Sequence, residues 1–136
     1  MKKIYLTHCS KEKDPEFALT GEKVTPDRLY TSEGIQQFIK YCNEHSHYWA
    51  ILSDRYGVVF RDDHIKWYNQ PPDTVTEEDY ERLLQSFITR LSFFDEVYFY
   101  HRPGETHPLF VRIIEAARAQ GMKVRNFTQA SMQKGE

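Results

Sequence analysis

The chain has 136 residues, of which 40% are hydrophobic and 15% aromatic, and this length fits a single domain around one apolar core. Its 18 Lys and Arg against 20 Asp and Glu give a formal charge of -2, so the overall charge does not favour nucleic-acid binding, and only a local basic patch is left open. The longest apolar runs, such as residues 48–52, fall far short of the roughly 20 residues that span a bilayer. No secretory apolar region follows Lys2 and Lys3. We therefore expect a cytoplasmic protein with no membrane partner.

The first half of the chain predicts a strand, a long loop, a helix and a second strand. Residues 4–6 are continuously apolar, as in a buried strand, and a polar stretch closed by Pro15 follows them. Residues 11–30 contain Pro and Gly at spacings that leave no room for a long element. Thr31 or Ser32 then caps a helix. Its apolar positions repeat at helical spacing and are Ile35, Phe38, Ile39 and Cys42. The apolar run of residues 48–52 predicts a central parallel strand.

The second half continues the alternation of helices and strands. After a second long loop, 54–75, Thr76 caps a helix that continues to Leu91. Residues 96–100 predict the third strand, a helix begins near Thr106 and Pro108, and residues 123–127 predict the last strand. The order β-α-β-α-β-α-β predicts an α/β fold, a three-layer Rossmann-like sandwich with a small, mainly parallel four-stranded sheet. We expect one domain over residues 1–128 and a flexible tail over 129–136.

Three loops leave the carboxyl edge of this predicted sheet. They comprise residues 8–13, 53–60 and 101–105. The two long connections also leave this edge, and long loops in compact domains are more often functional than not. Ligands of open parallel sheets bind at the carboxyl ends of the strands. The sequence therefore predicts a ligand site at this edge.

Three segments of the first half resemble a family of small, uncharacterised prokaryotic domains. The segments are Cys9-Ser10-Lys11-Glu12-Lys13, Leu29-Tyr30-Thr31-Ser32 and Ile51-Leu52-Ser53-Asp54-Arg55-Tyr56-Gly57. They match the CSxxK, LYTS and ILSxxYG motifs of that family in order and spacing. The wider group is similar to the YaaA-type peroxide-stress proteins and to the catalytic domain of archaeosine synthase. The resemblance covers residues 4–68, and Asp54-Arg55 stands where an Ala-Lys pair is commoner.

The resemblance implies a ligand and a set of catalytic residues. In archaeosine synthase a Cys-Ser segment precedes a nucleophilic lysine that acts on a modified tRNA base. It therefore implies catalytic roles for Cys9, Lys11 or Lys13, and a nucleobase, nucleotide or RNA as the ligand. We take as ligand-binding candidates the polar and turn residues that follow the strands. These are Ser10, Ser53, Arg55, Tyr56, Gly57 and His101.

Elementary chemistry sets the conditions for these roles. A reactive thiolate at Cys9 needs a pKa lowered by Lys11, Lys13, Arg55 or a helix end, and otherwise Cys9 is a small packing residue. A lysine is nucleophilic only where burial or other cations lower its pKa, and otherwise it is an exposed loop charge. Asp62, Asp63 and His64 form either an acid/base group or a solvated turn.

Other functions remain open. No GxGxxG or GxxxxGK[ST] motif is present, and His45 and His47 have no third ligand placed by sequence, so we expect no cofactor and no metal. Residues 1–6 and 95–124 faintly resemble nucleoside deoxyribosyltransferase-like folds. That resemblance implies N-glycosidic transfer as one alternative, with Glu105 or Glu115 as the attacking carboxylate. A non-catalytic interaction module is the other, with a homodimer formed through exposed aromatic residues such as Trp67.

Overall fold

The computed structural model describes residues 1–102, 104 and 106–133, and these form an α/β domain around one mixed sheet. Five strands make up the sheet in the order β3-β2-β1-β4-β5. β1 pairs in parallel with β2 and β4, and β4 pairs in parallel with β5. The strands are β1 (Lys3–His8), β2 (Trp49–Ser53), β3 (Gly57–Phe60), β4 (Glu96–Tyr100) and β5 (Val124–Phe127).

Six α-helices and one 3₁₀ turn connect these strands in the described residues. They are α1 (Glu16–Thr20), α2 (Pro26–Leu29), α3 (Glu33–Glu44), the turn Pro72–Thr74, α4 (Glu77–Leu91), α5 (Pro108–Ala119) and α6 (Gln129–Gln133). Ser32 caps α3 by accepting a hydrogen bond from the Ile35 amide. Thr76 and Asp79 form a capping box at the start of α4. These two predicted helix starts are thus confirmed, whereas the N-cap of α5 is His107 and not the expected Thr106. None of the described helices has the length and apolar character needed to cross a membrane.

The helices cover both faces of the sheet. Successive residues of a strand face opposite sides. The His8 ring therefore packs on Phe110 of α5, with ring centroids 5.0 Å apart, while Tyr5 stacks on His47, which follows α3, at 4.0 Å. α4 and α5 pack on each other. The predicted α/β class is confirmed.

The predicted four-stranded sheet is wrong by one strand. β3 is an antiparallel edge strand paired with β2, with Val58 opposite Leu52, whereas its residues were expected to form a loop. Its four residues are too few for a visible alternation, and a tight turn rather than a crossover leads into it. Gly57 begins the strand at φ +76°, and a Cβ there would lie 2.6 Å from Ser86 Oγ of α4. Glycine is therefore needed both for the turn and for the packing of α4.

The two long loops are pinned to each other. Residues 11–30 contain α1 and α2, and an antiparallel bridge joins Lys13 to Tyr30. A second bridge joins Val24 to Ile65 of the other long loop. The two loops are thus joined to each other at the carboxyl side of the sheet, where both begin. The expected flexible tail begins with α6, and residues 134–136 lie outside the described residues.

The strand order places a switch point beside β1. The chain passes from β1 to β2 on one side of β1, and α4 later carries it to β4 on the other side. Crevices at the carboxyl ends of strands form where the order reverses in this way. The loop after β1 therefore lies at the position where this class of fold binds ligands.

Candidate ligand-binding site

Three pockets surround the loop that follows β1. The pocket that we call the Cys9 pocket has a volume of about 180 Å³ and lies between the ends of β1 and β2. Its walls are Cys9, Ser10, Lys11, Lys13, Asp54 and residues 69–72. A second pocket of about 300 Å³ lies on the other side of the loop. The third, of about 490 Å³, is an open groove at the start of α3, and no predicted site residue lines it.

Two buried tyrosines lie beside the Cys9 pocket. The hydroxyl groups of Tyr30 and Tyr68 are 2.6 Å apart, and Ser53 Oγ donates a hydrogen bond to the Tyr68 hydroxyl over 2.9 Å. The Lys13 Nζ lies 4.3 Å from the centroid of the Tyr68 ring and 5.9 Å from that of Tyr30. The bridge between Lys13 and Tyr30 produces this placement. Lys13 is therefore held over an aromatic surface that favours a cation.

Cys9, Asp54 and Lys13 form one coupled electrostatic group. Burial, together with the nearby Asp54 charge, raises the pKa of Cys9 to about 12. Burial also raises the pKa of Asp54, against the opposing effects of a hydrogen bond from Cys9 and the charge of Lys13. Burial lowers the pKa of Lys13, although Cys9 and Asp54 oppose this shift. At neutral pH Cys9 is accordingly a protonated thiol, and the burial of Lys13 makes its ammonium easier to deprotonate than that of an exposed lysine.

Asp54 has one carboxyl oxygen without a hydrogen bond. Its side chain is 5% exposed, and among the described residues Oδ1 has no partner. Ser10 Oγ in the same pocket is also buried without a partner in the described part of the chain. Buried polar groups are nearly always hydrogen-bonded. Both atoms belong to residues that line the Cys9 pocket.

The remaining predicted ligand residues lie outside the pocket walls. Arg55 is exposed, Tyr56 donates a hydrogen bond to the Lys66 carbonyl, and Gly57 faces α4. Ser53 lies beneath the pocket, where its Oγ accepts hydrogen bonds from the amides of Arg55 and Tyr56. His101 contacts Asn126 of β5 over 3.1 Å. The structure thus brings Cys9, Ser10, Lys11 and Lys13 together and separates them from the other candidates.

Arg102 crosses the switch point from β4 to β1. Its side chain is 2% exposed, and it donates hydrogen bonds to Thr7 Oγ1 and to the carbonyls of His8 and Cys9. Its Nη2 also lies 3.1 Å from His8 Nδ1. These contacts fix the backbone from which the Cys9 pocket begins. Arg102 and His8 both line the second pocket, together with His107 and Phe110.

His8 should make folding sensitive to acid. Burial, followed by the charge of Arg102, lowers its pKa from 6.5 to about 3. The unfolded chain therefore binds the extra proton first, and stability falls as the pH drops from about 6.5 toward 3, by up to about 1.4 kcal/mol per pH unit. Urea unfolding at several pH values should show a smaller slope for His8→Gln. The raised pKa of Asp54 changes stability with pH in the opposite direction, but this effect is the same in both proteins and cancels in the comparison. Equal slopes would contradict a buried neutral His8.

The other charged candidates have structural partners. Asp63 accepts a hydrogen bond from the Phe60 amide and pairs with Arg90 at 3.2 Å, which fits a turn rather than an acid/base group. Glu115 is exposed and pairs with Arg118, and Glu105 lies outside the described residues. His45 and His47 stack near Tyr41. The described part of the chain contains no group of three or more His, Cys, Asp or Glu side chains placed to hold a metal.

Sequence reasoning placed Asp54 and Arg102 in loops at this edge, but it did not name Asp54, Tyr30, Tyr68 or Arg102 as site residues. Tyr30 and Asp54 stand inside the quoted motifs, so their motif positions were the available signal. Tyr68 is the last residue that the resemblance covers, so its position was also an available signal. Nothing in the local sequence indicates that Arg102 reaches β1.

Fold and pocket together define an α/β domain with a small, partly charged pocket at the carboxyl ends of β1 and β2. The chain belongs to a family of unknown function, DUF6884, whose model matches residues 4–129. No curated protein and no solved structure shows a significant match. Membership fits the expected uncharacterised domain, and the assignment of the CSxxK, LYTS and ILSxxYG motifs to this family stays a prediction. The similarity to YaaA-type proteins and to archaeosine synthase stays a prediction.

Proposed function

We propose that this domain binds a nucleobase or nucleotide in the Cys9 pocket and acts on it with Lys13 and Asp54. One observation carries the proposal: a half-buried amine, a buried carboxyl and a thiol meet at one pocket beside two tyrosines. Strongly perturbed titratable groups gathered in a cleft are typical of functional sites. The volume of about 180 Å³ is below the ~300–1,000 Å³ of drug-sized sites, which favours a ligand portion as small as one heterocyclic base.

The second pocket supports a nucleotide over a free base. It shares Cys9, Ser10, Lys11 and Pro72 with the Cys9 pocket, so one ligand can extend around the loop. His107 on its wall is the N-cap of α5. A base in the Cys9 pocket would then have room for its sugar and phosphate beside the loop.

The chemistry favours Lys13 as the reactive group. A neutral amine is a nucleophile toward a carbonyl or glycosidic carbon, and burial moves Lys13 toward that form. Asp54 beside it can accept or return a proton. The protonated thiol of Cys9 lies close enough to Asp54 to lower the pKa of its carboxyl. Lys11 is exposed and is better suited to attracting an anionic ligand than to attack.

A thermal-shift screen tests the proposal. The purified protein is heated with adenine, hypoxanthine and uracil, their nucleosides and 5′-monophosphates, and a short RNA. A ligand that binds only the folded state raises the midpoint, by an amount equivalent to about 2.7 kcal/mol at 100 times its Kd. We expect at least one base or nucleotide to raise it in a dose-dependent way. No shift across the panel would overturn the proposal and favour the interaction module.

N-glycosidic transfer is the second candidate. Here the buried carboxyl of Asp54 would be the attacking group, because Glu115 is exposed and pairs with Arg118. Release of free base from a nucleoside by the wild-type protein would place this reaction first.

A cytoplasmic location and a homodimer through Trp67, which is half-buried, also stay predictions.

A further inference from the structure

We propose that the amino end of the sheet is a surface through which two copies of this chain form a two-fold dimer, with Phe93 of each copy filling a pocket on the other. This surface lies at the start of β4, beside the ends of α4 and α5. The Cys9 pocket lies at the opposite end of the strands, so the dimer leaves it open in both copies. The inference does not depend on the proposed function.

The first step is an exposed aromatic side chain. Phe93 lies in the turn between α4 and β4 and is 77% exposed. Met1, which is also exposed, lies at the same end, because the next residue, Lys2, exchanges hydrogen bonds with Asp95 through both of their backbones and the Asp95 side chain. Single exposed apolar residues are common, whereas neighbouring ones indicate an interaction surface. The amino end of the sheet is such a surface.

The second step is a pocket beside Phe93. The pocket, which we call the Phe94 pocket, has a volume of about 300 Å³, and both chain neighbours of Phe93 line it. Its walls include the apolar Leu91, Phe94, Val97 and Met122 and the charged Asp95 and Lys123. A ring and a pocket that lie side by side fit a two-fold axis, because each copy then offers both parts to the other. If they lay far apart, the same contact would build an open chain of copies.

The third step is the charge of this surface. Asp95 and Lys123 are both exposed and line the Phe94 pocket with opposite signs. A strongly acidic or strongly basic partner would bring a like charge against one of them. A second copy related by a two-fold axis can instead place its Lys123 beside Asp95 and its Asp95 beside Lys123. The charges therefore favour a second copy of this chain as the partner.

The edges of the sheet are less suited to association. On the edge strand β3 the Val58 carbonyl accepts a hydrogen bond from the Arg90 side chain. On the other edge strand, β5, the Val124 carbonyl accepts two hydrogen bonds from Arg118. Edge strands whose backbone groups are covered in this way do not readily add a strand from another chain. Contact through the amino end is therefore favoured over extension of the sheet.

Sedimentation equilibrium at a series of protein concentrations tests the inference. We expect the average mass to rise from that of one chain toward that of two between about 1 µM and 1 mM, as for a small interface. Phe93→Glu should raise the dissociation constant of the dimer at least about tenfold, since a charge replaces the ring in both copies of the pocket. Because Phe93 is exposed, the melting midpoint of the dilute monomer should stay that of the wild type.

Leu19→Glu is the matched control. Leu19 is 89% exposed on α1, within the long loop that follows β1, so this variant makes the same kind of change at a distance from the Phe94 pocket. Its dissociation constant should stay within about threefold of the wild type, as expected for independent sites. A loss of dimer in both variants would show that added negative charge, and not the Phe93 ring, controls association.

Charge reversal tests the two-fold geometry. Lys123→Glu brings two carboxylates together and should weaken the dimer at least about threefold at low salt, where exposed charges are least screened. Adding Asp95→Lys to that variant restores opposite signs and should return the dissociation constant to within about threefold of the wild type. A double variant that binds no more tightly than Lys123→Glu would contradict the pairing of Asp95 with Lys123.

Two results would overturn the dimer itself. One is a wild-type chain that stays monomeric up to about 1 mM. The other is a dimer that persists in Phe93→Glu and is lost in Trp67→Ala, which would place the interface on the second long loop instead.

Discussion

Replacement of Arg102 by methionine is expected to lower the free energy of unfolding by about 1–3 kcal/mol for each buried acceptor that is left without a donor. The methionine fills most of the space but donates no hydrogen bond. The Thr7 hydroxyl and the carbonyls of His8 and Cys9 then lose the donor that joins β4 to β1. Because Arg102 is only 2% exposed, water does not readily replace that donor. Urea unfolding at neutral pH measures the change.

A second arginine serves as the matched control. Arg112 makes a two-pronged ion pair with Glu77, and both side chains are exposed. Exposed pairs of this kind contribute little to stability, so Arg112→Met should unfold close to the wild type. Arg102→Lys should fall between the two, because an ammonium cannot reach all the acceptors that the planar guanidinium joins. An Arg102→Met variant as stable as Arg112→Met would contradict the role assigned to Arg102.

Lys13→Met should reduce the affinity for the best nucleotide of the thermal-shift panel by at least about tenfold, or about 1.4 kcal/mol. The methionine keeps an unbranched, flexible side chain against Tyr30 and Tyr68 but removes the amine from the pocket. The free protein should be as stable as the wild type or more so, because a half-buried cation is lost. Calorimetry and thermal unfolding of the same preparations measure both effects.

The neighbouring lysine separates a specific role from general charge. Lys11 lines the same pocket but is exposed, so Lys11→Met removes one positive charge without emptying the position over Tyr68. We expect its affinity to stay within about threefold of the wild type at 0.15 M salt, where exposed charges are screened. Equal losses in the two variants would show that the pocket needs positive charge and not Lys13 itself.

The features that depend only on residues close together in the chain were predicted from the sequence. The capping residues Ser32 and Thr76 start their helices as expected, since a cap depends only on the next three residues. Cys9, Ser10, Lys11 and Lys13 meet in one pocket because they share one loop after β1. β3 escaped prediction because four residues carry too little pattern, and its pairing with β2 depends on the turn that Gly57 permits.

Long-range partners of the site could not be predicted in the same way. Tyr68 contacts Ser53 and Tyr30. The two long loops pair through Val24 and Ile65, and the spacing of residues in the sequence does not predict this pairing. Arg102 reaches Thr7 across 95 positions of sequence, and only the adjacency of β1 and β4 makes this contact. Arg55 and Tyr56 stand in a convincing motif, but the hairpin places them outside the pocket walls. Their role as ligand-binding residues stays a prediction.

The most direct measurement is an amide-resolved NMR titration of the wild-type protein with the best nucleotide of the thermal-shift panel. Binding in the Cys9 pocket should perturb the amides of residues 9–13, of Asp54 and of 69–70, while those of β5 and the end of α4 stay unchanged. Pro71 and Pro72 have no amide proton and give no signal. Perturbations that leave residues 9–13 and Asp54 unaffected, or that cluster around His45 or Phe93, would contradict a ligand site at the carboxyl edge of β1.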